Sequence, residues 1–198
     1  MRSCIPVLLA VLLASCTVLP EREPVNLYQL PAPTVAAADA TIDVGGLRIA
    51  RPGTSDALGA SRMLVMRDDN RFETFPEARW AAPIPLLWRD WLLDAFWRDG
   101  RFLDVSADQE RLAAQVELSG VLRGLHAEFL NGSMEVVIRY DARLIRIQGR
   151  EIIASQRFEA REPAAGTSAD ASVAALGQAA DRLVAELLDW AAEQSAGR

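Results

Sequence analysis

One stretch limits what this chain can become: Arg79 to Gly100, RWAAPIPLLWRDWLLDAFWRDG. Pro83 and Pro85 stand where a helix can begin, because proline's fixed φ suits the first turn and no backbone donor is needed there. Gly100 is placed to close the helix as a left-handed cap. Between them Ile84, Trp88, Trp91, Leu92, Ala95 and Phe96 recur at three- and four-residue spacing and form one broad apolar face. Arg89, Asp90, Asp94, Arg98 and Asp99 fall largely on the remaining surface. About fifteen residues at 1.5 Å each make a rod of roughly 22 Å, long enough to cover one face of a small sheet. Four of the five tryptophans, Trp80, Trp88, Trp91 and Trp97, lie in or beside it. Burying such a side chain contributes roughly 1.5–3 kcal/mol, so the stretch is the expected main slab of the core. Trp97 points away from the main stripe; with Trp80 it is a candidate contact for a partner or a lipid.

The N-terminus addresses the chain to a compartment. Met1 to Cys16 reads MRSCIPVLLAVLLASC. A single arginine precedes an apolar run, Ile5 to Ala14, too short to span a bilayer as a mature helix. This is a secretory signal peptide over residues 1–15. Its end, Leu13-Ala14-Ser15-Cys16, matches the lipobox of bacterial lipoproteins, in which the cysteine is lipidated and becomes the new N-terminus. Thr17 follows Cys16, where enteric bacteria use aspartate to retain a lipoprotein at the inner membrane, so the outer membrane is favoured. Cys4 leaves with the signal and Cys16 carries lipid, leaving the mature chain without a thiol for a disulfide, a metal or nucleophilic chemistry.

Residues 16–198 are enough for one domain after a tether. All basic side chains are arginine. Removing Arg2 with the signal leaves 20 arginines against 27 acids, a formal charge of −7. A domain of that charge repels nucleic acid and gains nothing at an anionic lipid surface. Membrane attachment must then come from the acyl chains on Cys16.

Residues 16–40 read as the lipidated cysteine, a tether and a first short strand. Asn26 to Pro31 is that strand, stopped by proline, and Pro31 to Ala40 has linker composition. Residues 41–194 read as a single domain. Thr41 to Ala50 is a strand interrupted at Gly45-Gly46, a bulge or a close backbone approach. Ala60 to Phe75 is a hairpin about Asp68-Asp69-Asn70. Phe102 to Val105 starts another strand. Gln115 to Phe129 alternates, with a phase shift near Gly120. Asn131-Gly132 is a type I′ hairpin dipeptide, and Met134 to Ile147 leaves it at period two. Gln148-Gly149-Arg150 turns the chain into Glu151 to Glu159. Glu162 to Ser168 reads as a loop. A last helix follows to about Glu193, capped by Asp170 or Ser172, with Val173, Leu176, Ala180, Leu183, Val184, Leu187, Leu188 and Ala191 on one face. The fold class expected is α+β, an antiparallel sheet with two main helices packed on one face.

Catalytic patterns are missing from the sequence. His126 is the sole histidine and has no second histidine or mature cysteine to complete a zinc set; a structural role in a strand is expected. Asp68-Asp69 lacks further carboxylates at calcium-loop spacing, so a solvated turn is expected. There is no G-x-S-x-G elbow, phosphate loop or dinucleotide fingerprint. The chain reads as a non-enzyme with no catalytic residue, metal or cofactor.

Several features occur in one order: the lipobox, the Tyr28-x-Leu30-Pro31 strand, GGLRIARP from Gly45 to Pro52, the Met63-to-Trp80 hairpin running into Trp-Ala-Ala-Pro, the long strands and the alanine-rich last helix. In this the chain resembles the ABC-type transport auxiliary lipoproteins, the paraquat-inducible protein C-like family, over about Asn26 to Ala192. The resemblance implies lipidation at Cys16 and no catalytic residues. It also implies partners: a periplasmic MCE-domain protein and the ABC permease and ATPase of the same system, which move lipids or other hydrophobic molecules across the envelope. A homo-oligomer is compatible with it. Three roles are open to such a chain: a membrane-anchored adaptor, a periplasmic lipid-binding carrier, or a structural envelope lipoprotein.

Overall fold

The computed structural model describes residues 24–196. Nine strands and two long helices follow in the order β1 (Asn26–Tyr28), β2 (Leu47–Ile49), β3 (Gly53–Thr54), β4 (Arg62–Arg67), β5 (Phe72–Trp80), α1 (Ile84–Asp99), β6 (Val105–Ala107), β7 (Val116–Leu130), β8 (Ser133–Arg146), β9 (Glu151–Pro163) and α2 (Ala169–Ala196). Signal peptide and Cys16 lie outside the described residues.

The sheet is built on β7. Along one edge it pairs with β8 over its whole length, antiparallel, from Val116↔Arg146 to Leu130↔Ser133. Along the other edge three short strands lie one after another, all parallel to it. β2 pairs at Val116–Leu118, β3 at Val121–Leu122 and β4 at Ala127–Phe129. β5 and β1 extend the sheet beyond β4, and β6 lies beyond β2. The expected antiparallel sheet is thus corrected to a mixed one. Antiparallel pairing holds for β4–β5 and for β7–β8–β9, which are joined by tight turns. The parallel pairs of β2, β3 and β4 with β7 are possible because α1 lies in the long connection between them, and parallel strands need such a crossover.

Both helices cover one face. Trp88 of α1 stacks on Trp91 (5.4 Å between ring centres) and meets Tyr140 of β8 edge-on at 6.1 Å. Tyr140 stands beside Phe158 of β9, and Phe158 packs at 5.5 Å on Trp190 of α2. Every residue of the expected α1 stripe is buried. So is the stripe of α2, except half-buried Val173. Gly100 caps α1 in the left-handed conformation, φ 70°. The α2 cap differs from expectation: the Ser168 hydroxyl accepts the Ala171 N–H at 3.1 Å, so the helix starts before Asp170, and β9 reaches Pro163 into the expected loop.

Two charged residues expected on the α1 surface are buried. Arg89 donates to Asp90 (2.6 Å) and to Asp108 beyond β6 (2.8 Å), and Asp99 is held by Arg101 (2.8 Å). The pairs with Asp108 and Arg101 tie α1 to the segments after it; a charge that leaves water needs such partners. The expected linker is a strap. Trp91 Nε1 donates to Pro31 O (2.7 Å), Thr34 Oγ1 to Asp181 (2.6 Å), and Ala38 N–H to Asp99 O (2.9 Å). Two prolines and a run of small residues let this segment lie flat across both helices.

Gly120 carries a tight constraint. The phase change in β7 falls at Arg123, an extra residue between Leu122↔Tyr140 and Gly124↔Arg139, and not at Gly120. Gly120 is needed for closeness: its φ is 158° and a Cβ there would stand 2.2 Å from Asp141 O. The neighbouring Tyr140 ring lies over this gap, and its hydroxyl donates to Ser119 O at 3.0 Å. Gly120→Ala is expected to destabilise the domain by roughly 3 kcal/mol, the scale of a forced overpacking, seen as a lower urea midpoint at unchanged m-value.

Candidate functional site

The two faces of the sheet differ. After the Arg123 bulge, Leu125 and Ala127 point to the helices and His126 and Glu128 to the opposite face. Glu128 is buried at 2 % exposure and is met by Arg161 (2.9 Å) and Arg139 (3.4 Å). Arg161 also reaches Glu135 (2.7 Å) and Glu159 (2.9 Å), and Arg139 reaches Glu159 (3.1 Å). Nearby Asp141 pairs with Arg123 (2.9 Å) and Arg157 (2.6 Å), which hold its carboxyl at about 2. Three long strands in register bring these residues together on the sheet face opposite the two described helices.

His126 lies among them at 3 % exposure, its ring perpendicular to that of Phe72 at 5.1 Å. Its Nε2 is 3.5 Å from Glu128, and neither ring nitrogen has a hydrogen-bond partner among the described residues. Burial lowers its pKa to about 4; Glu128 pulls it up and Arg139 pushes it down. Burial alone would raise the Glu128 carboxyl, but Arg161 together with its other charged neighbours outweighs it and holds that group below its ordinary value. The histidine is therefore neutral. Among the described residues no group of three His, Cys, Asp or Glu could hold a metal. Asp69 of the expected turn is paired with Arg71 at 2.5 Å.

The tryptophan candidates separate. Trp80 is 2 % exposed and its indole is enclosed in the core, so it has no surface to offer a partner. Trp97 is 68 % exposed. Leu103 and Leu112 are also more than half exposed, and all three line one open groove of about 280 Å³ together with Gly45, Gly46 and Asp104. The leucines were not legible as surface residues: each lies in a short irregular segment where periodicity carries no facing information. No helix among the described residues is long and apolar enough to cross a membrane.

This α+β architecture is found in solved structures. Protein XCC0632 from Xanthomonas campestris superposes with a TM-score of 0.77 at 20 % identity, over 85 % of this chain and 96 % of that one. An uncharacterised protein gives 0.65 at 17 % identity over 83 % and 97 %, and hypothetical protein CT253 from Chlamydia trachomatis gives 0.52 at 9 % over 78 % and 99 %. These likenesses define the fold. No curated protein matches the sequence significantly. The sequence model of the ABC-type transport auxiliary lipoprotein component matches residues 28–187, and the chain belongs to that family. It is thus a lipoprotein of the cell envelope associated by family with ABC-type transport.

The histidine makes acid sensitivity testable. Its folded pKa lies below the ordinary 6.5, so between these values the unfolded chain binds the extra proton. Stability is full above pH 6.5 and falls as pH drops towards 4. His126→Phe is expected to flatten this part of the curve of urea midpoint against pH. An unchanged slope would show that His126 does not carry it.

Proposed function

We propose that this chain is a non-enzymatic, membrane-anchored adaptor. It is held to the periplasmic face of the outer membrane through lipid on Cys16. From there it joins a periplasmic MCE-domain protein, whose permease and ATPase lie at the inner membrane, in a system that moves lipids or other hydrophobic molecules. The observation that carries this reading is the family match to a transport auxiliary lipoprotein across residues 28–187.

The packing favours an adaptor over a carrier. The space between helices and sheet, where an acyl chain would lie, is filled by Trp88, Leu92, Phe96, Leu122 and Tyr140, all at 0 % exposure. The grooves beside the strap and around Gly45 hold about 260–400 Å³ and open to solvent. A lipid carrier instead needs an enclosed apolar cavity.

The experiment is affinity purification of the full-length lipoprotein from its own envelope in mild detergent, with protein and lipid both identified by mass spectrometry. The MCE-domain protein of the same system is expected at comparable molar amount, and Cys16→Ser is expected to release the chain from the membrane fraction. Stoichiometric phospholipid without the MCE-domain protein would replace the adaptor with a carrier.

A further inference from the structure

Among the described residues β9 pairs with β8 alone, so the other edge of this 13-residue strand is open. Which backbone groups it turns outward follows from two contacts. Ala164 N–H donates to Met134 O at 2.9 Å, so Ala164, and every second residue back through Glu162, Ala160, Phe158 and Gln156, turns its backbone to β8. Arg161, Glu159, Arg157 and Ser155 therefore turn N–H and C=O outward. Arg161 O has that direction, since it accepts from Arg182 of α2. From Ser155 to Glu159 the outward groups have no hydrogen-bond partner among the described residues.

The side chains on this edge select what can pair with it. Phe158 packs on Trp190 of α2, so its neighbours Arg157 and Glu159 lie on the sheet face opposite the helices. There Arg157 is paired with Asp141 of β8 at 2.6 Å, and Glu159 with Arg139 of β8 at 3.1 Å. An edge is protected from pairing when an incoming strand would set like charges opposite one another. For a second β9 laid antiparallel, the register decides the sign. With a twofold axis at Phe158, Arg157 of each copy stands opposite Glu159 of the other. Both residues turn their backbone outward, as a hydrogen-bonded pair requires. Moving the axis to position 157 sets Arg157 against Arg157, and moving it to 159 sets Glu159 against Glu159. The register at Phe158 continues the row Asp141–Arg157 into Glu159 and Arg139 of the second copy, with the sign of charge alternating throughout. Symmetry makes the match twice, which an unrelated strand does not offer.

We propose that the Ser155–Glu159 edge of β9 is a self-association surface, through which two copies of this chain join their sheets antiparallel about a twofold axis at Phe158. The pairing is independent of the adaptor reading.

Strand spacing and rise place the two copies' Cα atoms about 9 Å apart at position 157 and about 21 Å apart at position 155 in this register. The test treats the full-length lipoprotein in its own envelope with a short bismaleimide, as Arg157→Cys, as Ser155→Cys and as wild type for the blank. A covalent dimer is expected from Arg157→Cys, at least tenfold more than from Ser155→Cys. In purified protein Arg157→Pro removes an outward N–H and leaves the β8 ladder intact. It is expected to raise the dimer dissociation constant at least tenfold with unchanged circular dichroism, and Arg157→Gln, which keeps the N–H, to raise it less. Should Arg157→Pro fail to fold, the two crosslinking variants decide alone. No dimer from Arg157→Cys, equal dimer from both cysteine variants, or a crosslink from Arg157→Cys to a different envelope protein would overturn the proposal. So would dimerisation that a folded Arg157→Pro leaves unchanged.

Discussion

The structure depends on the pairing of β7 along both edges. All of its fifteen residues except Arg123 pair with β8 on one side, and stretches of it pair with β2, β3 and β4 in succession on the other. Strands of two or three residues such as β3 and β2 have too few ladder bonds to persist alone; they exist because β7 supplies a continuous template. The same strand sets the two faces. A single extra residue, Arg123, keeps Leu118 and Leu122 and then Leu125 and Ala127 turned towards the helices, while His126 and Glu128 turn away.

The consequences reach the surface through ion pairs that join distant segments. On the helix-free face Arg161 joins β7, β8 and β9 by binding Glu128, Glu135 and Glu159. On the helix side Arg89 is buried only because Asp90 and Asp108 meet it. Removing one partner of such a pair leaves an uncompensated charge, which costs more than the pair contributes. The groove around Trp97 belongs to the same construction, because Arg48, pinned to Glu117 of β7, holds the loop that carries Leu112.

Much of this was legible in the sequence where the signal was local. The α1 stripe, its proline start and Gly100 stop, the Asn131-Gly132 turn, the three long strands and the face of α2 all follow from spacing and turn chemistry. The misses were non-local. Parallel pairing of β2, β3 and β4 depends on a partner more than fifty residues away. The Phe102–Val105 strand forms two or three residues later, as β6, because β2 sets the register. The proline and alanine segment after Leu30 looks like a linker by composition, and only the contacts of Trp91 and Asp181 make it a strap. For the candidate site, Trp97 stood out by pointing off its stripe, whereas the exposure of Leu103 and Leu112 and the burial of Trp80 are properties of the assembled sheet.

β7 is the centre of the scaffold, paired along both of its edges. Hydrogen exchange of the full-length lipoprotein tests this most directly. Amides of β7 from Val116 to Leu130 should exchange slowest, at the rate set by global unfolding. A β7 that exchanges by local opening would contradict it.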